Sequence, residues 1–377
     1  MSRDDTPSLV ELEAAILQDP DTVDAYLVYA DALQRRGDPR GELIARQHAA
    51  LGATLRSEAW RFQGEADALI WEHEEVLLGA LADAVESEEL QLEWHLGFIR
   101  SARVAQADPD STLDVPATVE ALLAHPSGRF LRDLTVGMVS FGDLNQYFAV
   151  IQAVERAGGS QTLRSVFLGD YAYPSEWPIS FTQVGDVSPL YAVLPRLRTL
   201  RLRGGGVELG DLDLPELREL TVETGGLPLA AVRSVMSARL PNLERLELWF
   251  GSPRYGGEAG LEDLRPLLDG EVLPGLRKLG LRNADFMAAL CRELPRTKLL
   301  PRLQELDLSL GNMADEDAQV LANHAGAFRH LERLDLRENM LTDEGAQRLA
   351  DLCADVRYQP QRGFDENDGD RYVAVGE

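Results

Sequence analysis

LERLELWFGS, residues 243–252, is the stretch that decides the fold. Leu243, Leu246 and Leu248 face one way, while Arg245 and Glu247 alternate with them as in a half-buried strand. Trp249 and Phe250 follow, and alternation cannot keep both in the core. The frame predicts that Trp249 joins the charges on the open face and that Phe250 begins a descending loop.

The same hexad recurs along the chain. It reads LRDLTV from Leu131, LRSVFL from Leu163, LRTLRL from Leu197 and LRELTV from Leu217. It continues as LERLEL from Leu243, LRKLGL from Leu276, LQELDL from Leu303 and LERLDL from Leu331, with a weaker start, IRSARV, at Ile99. Successive starts lie 32, 32, 34, 20, 26, 33, 27 and 28 residues apart. Most intervals carry a 3.6-residue apolar period, as in DLNQYFAVIQAVERAG, AAVRSVMSARL, LEDLRPLLDG, FMAALCREL, DEDAQVLANHAG and DEGAQRLADLCA. Ser188-Pro189 and Thr342 read as helix caps. Each strand-plus-helix unit is too small to bury its own apolar side, so the units stack into a solenoid, with a parallel sheet inside and helices outside.

These hexads and their spacing resemble leucine-rich repeats of the ribonuclease-inhibitor-like type. The resemblance implies an α/β horseshoe with its parallel sheet on the concave face, over residues 94–358. The asparagine expected three positions beyond the last leucine of each hexad stands only at Asn339; Asn283 is one place early and Asn312 one late. GGGVELGDLDLP, between the hexads at Leu197 and Leu217, is too short for a helix. An irregular horseshoe with displaced loops is expected.

Residues 1–93 read as helices punctuated by Pro20, Gly37 and Pro39. Ala25, Tyr29, Asp31 and the run Gly37-Asp38-Pro39-Arg40-Gly41-Glu42, with Trp94, His95, Gly97 and Phe98 beyond, resemble the repeat-companion domain found ahead of bacterial repeat proteins. The resemblance implies a helical cap on the first repeat and transfers no chemistry. Residues 359–377 form an acidic loop, RGFDENDGD, and a closing segment.

Alternation places the third, fifth and seventh positions of each hexad on the concave surface. The expected partner-binding residues there are Phe167, Arg201, Arg203, Glu223, Glu247, Trp249, Arg282, Asp307 and Arg337. Tyr171, Tyr173 and Trp177 crowd the long interval at 168–186, which is either a small local core or a lip beside that surface.

The 37 basic and 63 acidic residues give a net charge of -26, which disfavours nucleic acid and anionic membranes. The chain shows no signal-like apolar region and no apolar run of spanning length. Cys291 and Cys353 sit in apolar helical contexts, so a cytoplasmic location with reduced thiols is expected. No phosphate loop, nucleophile elbow or zinc spacing is present, and DENDGD lacks the positions of a calcium loop. No cofactor and no metal are expected. The sequence points to a non-catalytic scaffold that binds a protein. The alternatives are a peptide-recognition or accessory subunit of an enzyme, and an enzyme built on the 168–186 and 251–260 loops, where Asp170, Glu176 and Asp186 cluster.

Overall fold

The computed structural model describes residues 8–142, 144–172, 175–362 and 371–376. Tyr173 and the acidic DENDGD run lie outside the described residues. The chain divides into two compact units, one of Met1–Val139 with Ala149–Ser165, the other of Ser140–Phe148 with Val166–Glu377.

The first unit opens with α1 (Leu9–Gln18), α2 (Val23–Gln34), α3 (Arg40–Gly52) and α4 (Arg56–Glu72). Ser8 starts α1 through a reciprocal capping box with Glu11. Strands β1 (Leu90–His95) and β2 (Phe98–Val104) form an antiparallel hairpin, and β3 (Asp133–Val136) adds parallel to β2. Leu96 and Gly97 turn the hairpin with φ of 47° and 81°. Tyr26, Tyr29, Phe98 and Phe130 form an aromatic core, the Phe98 and Phe130 rings 4.6 Å apart.

The residues that carried the companion-domain resemblance lie in this unit. Arg40 is buried, pairing with Asp38 at 3.1 Å and donating to the Val76 carbonyl and the Ser127 hydroxyl. A Cβ on Gly41 would stand 2.6 Å from the Ala30 carbonyl oxygen, so only glycine lets α2 and α3 approach. The Gly97 N–H donates to the buried Gln47 at 2.8 Å.

In the second unit, β4 (Asn145–Gln146), β6 (Thr182–Asp186) and β8 (Gly205–Glu208) form a small sheet of parallel pairs. The larger sheet takes β5 (Ser165–Leu168), β7 (Thr199–Arg203), β9 (Glu219–Glu223) and β10 (Arg245–Gly251). It continues through β11 (Lys278–Ala284), β12 (Glu305–Asp307), β13 (Arg333–Asp335) and β14 (Val356–Arg357). From β7 to β14 every pair is parallel, a mostly parallel sheet in an open, solenoid-like α/β arrangement. The helices Met287–Glu293, Asp315–Asn323 and Asp343–Gln347 pack side by side along it.

Pairing keeps the hexads in register. Thr199, Glu219, Arg245, Lys278, Glu305 and Arg333, all third positions, stand beside one another in sequence. The leucines between them are buried, each fully buried leucine contributing about 1.5–3 kcal/mol. A recurrent turn enters five of the strands, β7, β9, β10, β11 and β12. In Leu194–Leu197, Leu214–Leu217, Leu240–Leu243, Leu273–Leu276 and Leu300–Leu303, the last N–H donates to the first carbonyl at 3.0–3.3 Å, with proline second in each turn.

Several local expectations are corrected. Phe250 stays in β10 and packs in the core, 5.0 Å from Phe286 with the rings edge to face. DLNQYFAVIQAVERAG is helical only over Phe148–Arg156, and its start supplies β4. Ser188 precedes a helix with proline at its first turn, but its side chain makes no capping bond. Thr342 does cap its helix, accepting the Gly345 N–H at 3.1 Å. The short interval after Leu197 holds β8, where Val207 and Leu209 are buried and Gly206 takes a φ of 58°. A strand fits where a helix does not.

The three asparagines do separate work. Buried Asn339 donates to the carbonyls of Leu308 and Leu336 at 2.9 and 3.0 Å and accepts from the Met313 N–H at 3.1 Å. Asn283 clamps the closing segment, donating to the Val375 carbonyl and accepting from its N–H. Asn312 donates to the Asp285 carbonyl at 2.7 Å. Replacing Asn339→Ala leaves buried backbone groups of two repeats unpaired, at about 1–3 kcal/mol each. Urea unfolding is expected to show a loss of about 3 kcal/mol, whereas the more exposed Asn312→Ala is expected to lose under about 1 kcal/mol.

Candidate functional site

The polar residues of the larger sheet form two clusters and a charged depression on the face opposite the leucines. The first cluster gathers Phe167, Tyr171, Arg201, Arg203 and Glu223. Glu223 ends β9 and is almost wholly buried, yet it accepts from Arg201 and Arg203 at 2.6 Å each. Arg201 lies over the Phe167 ring, 4.3 Å from its centre, and Arg203 also reaches the Tyr171 carbonyl. A buried carboxylate between two guanidiniums holds both arginines against the aromatic rings.

The second cluster answers the question posed by Trp249. Its indole is half-buried beneath Arg282, whose guanidinium carbon stands 4.6 Å above the ring, and its N–H donates to Glu247 at 2.8 Å. Arg282 binds Glu247 at 2.6 Å, approaches Asp307 at 3.4 Å and donates to the Ser309 hydroxyl at 2.9 Å. Burial opposes the charge on Arg282, but Asp307 and Glu247 outweigh it and hold its pKa above the usual value. Burial pushes the Asp307 carboxyl up, against the pull of Arg282 and with Asp335 adding to the rise.

Beyond these, Glu305 is shared by Lys278 at 2.8 Å, Arg245 at 3.3 Å and Arg333 at 3.7 Å. Arg245 stands beside Glu219 in register, but its ion pair is with Glu305, two strands away. Arg337 closes onto Asp335 at 2.6 Å. Gly280, flanked in register by Glu247 and Asp307, leaves a gap in this row, and a depression of about 180 Å³ opens over it.

Trp177 lies in neither cluster. It packs edge to face against Phe141 and Phe181 at 5.9 and 6.4 Å, and its indole donates to the Phe181 carbonyl. Glu176 and Asp186 accept from the N–H groups of Ala172 and Ser188 close by in their own loop. Among the described residues there is no group of histidine, cysteine and carboxylate side chains fit to hold a metal ion, and no helix long and apolar enough to cross a membrane. Buried Cys291 and partly buried Cys353 are free, and burial raises the pKa of both thiols.

Sequence reasoning missed the shared Glu305, the Arg282–Ser309 bond and the gap at Gly280. The alternation that placed these residues on one face carries no information on how far an arginine reaches.

Residues 301–322 and 329–350 match the family described as Leucine Rich repeat. No curated protein matches the chain in sequence. A crystal structure of a Bacteroides fragilis protein aligns with a TM-score of 0.63 at 21% identity, covering 83% of this chain and 86% of that one, and shares the fold. An internalin from Listeria monocytogenes aligns at 13% identity with a TM-score of 0.33, over 71% of this chain and 92% of that one. TLR13, in a TLR13–ssRNA13 complex, aligns at 13% identity with a TM-score of 0.30, over 63% and 43%. Likeness at those two scores carries no weight.

Two stability predictions follow from the ion pairs. Glu223→Ala leaves Arg203 mostly buried without its carboxylate and is expected to destabilise the protein by about 3 kcal/mol, read by urea unfolding. The Glu305 carboxyl is opposed by burial, yet its three cations hold it below the ordinary 4.5. A depressed carboxyl contributes stability above its unfolded pKa and loses it as pH falls through the folded one. Glu305→Gln is therefore expected to cost about 1 kcal/mol at neutral pH, with the difference vanishing well below pH 4.5.

Proposed function

We propose that this chain is a non-catalytic protein-binding scaffold, an irregular horseshoe of ribonuclease-inhibitor-like repeats whose concave face receives a protein partner. Residues 1–93 cap its first repeat, and residues 359–377 close the other end. The observation that carries the reading is the in-register run of strands from β7 to β13, with β5 beside β7. It aligns Phe167, Arg201, Arg203, Glu223, Glu247, Trp249, Arg282, Asp307 and Arg337 on the face that the leucines leave open. Such a face supplies half-buried aromatic and arginine groups, residue types that dominate binding energy at interfaces. Its carboxylates Glu223, Glu247 and Glu305 are engaged with arginines and lysine.

Trp249 is the residue to test. Partner proteins recovered on the immobilised wild-type chain are titrated against wild type and Trp249→Ala. The variant removes the ring on which Arg282 rests and is expected to weaken binding tenfold or more. Unchanged affinity with an intact fold, or the absence of any saturable protein partner, would contradict the reading.

A further inference from the structure

The open face of β7 to β14 is layered by charge. Its carboxylates lie deep: the side chains of Glu223, Asp335, Glu247, Glu305 and Asp307 are 2–28% exposed. Its outer cations stand above them: those of Arg245, Lys278, Arg333 and Arg337 are 34–41% exposed. Arg203 and Arg282 are the buried exceptions, each lying over an aromatic ring. Two exposed carboxylates, Glu219 and Asp355, lie outside the depression over Gly280. So a chain with 63 acidic and 37 basic residues presents, here, mainly cationic groups to an arriving molecule.

We propose that this face recognises a carboxylate-rich peptide segment of its partner, one carboxylate entering the depression over Gly280 between Lys278, Arg333 and Arg357. The inference rests on the protein-binding reading above and names the chemistry of the partner. Three features fit it. The depression holds about 180 Å³, the volume of about six waters at ~30 Å³ each, enough for one acidic side chain with residual solvent. Glu305 already draws three cations toward the depression, and among the described residues Arg357 pairs with the exposed Asp355, at 3.5 Å. The cations are thus held in place before a ligand arrives, which lowers the ordering cost of binding.

A nucleic acid fits less well. Single-stranded nucleic acid binding draws on base stacking as well as on phosphate contacts. Trp249 and Phe167, the rings on which bases would stack, are already covered by arginines.

The test uses the full chain and three labelled probes followed by fluorescence anisotropy. They are a dodecapeptide of alternating glutamate, aspartate, glycine and serine; the same peptide with glutamine and asparagine; and a single-stranded oligonucleotide. The acidic peptide is expected to bind at least tenfold more tightly than its amide counterpart, and more weakly as salt is raised. Lys278→Gln with Arg357→Gln is expected to reduce that binding at least fivefold. Gly280→Gln, which fills the depression from within, is expected to reduce it as much, with circular dichroism and the unfolding midpoint showing each variant folded. No binding of the acidic peptide, equal binding of the amide peptide, tighter binding of the oligonucleotide, or folded variants with unchanged affinity would each overturn the proposal. A protein partner that depends on Trp249 but is not displaced by the acidic peptide would overturn this inference alone and leave the scaffold reading standing.

Discussion

Each third-position residue of the larger sheet stands beside the third-position residue of the next strand, and a slip by one would exchange the two faces. Leu246 would turn to water and Arg245 into the core. The burial of the leucines on one face is therefore what sets the order of charges on the other. The backbone ladder extends one residue before the strands, where the N–H groups of Arg218, Glu244, Arg277, Gln304 and Glu332 each donate to the preceding repeat at 2.7–2.9 Å. Registration begins at the turns that enter these strands.

On that fixed lattice the carboxylates act as anchors. Glu223 is almost wholly buried and Glu305 largely so, and the longer cations bend to them, across one strand for Arg203 and two for Arg245. This arrangement is expensive to desolvate and pays off only where several hydrogen bonds meet each charge. The bond from Trp249 to Glu247 and that from Arg282 to Ser309 meet that condition in the second cluster. The aromatic rings are platforms for guanidinium groups, which answers why an indole stands among charges on an open strand face.

Much of the fold was legible in the sequence because hexad alternation is a local pattern with a single physical cause. It placed Trp249 with Arg245 and Glu247 on the polar face and identified Thr342 as a cap. It failed at Phe250 because the end of β10 was judged from the hexad length, whereas the strand runs three residues beyond the hexad to Gly251. The second small sheet was invisible because β8 is a glycine run with one buried valine, too weak a signal by itself. The role of Asn283 was equally hidden: its partner Val375 is 92 residues away, and no repeat pattern connects them.

The central claim is that the aligned polar face of β7 to β13 is the surface that meets a partner. Hydrogen–deuterium exchange of the full chain, with and without its recovered protein partner, reads this directly. Slower exchange confined to peptides covering β7 to β13 and the turns bordering them is the predicted result. Protection confined to the helices at 287–293, 315–323 and 343–347, with the strands unchanged, would contradict it.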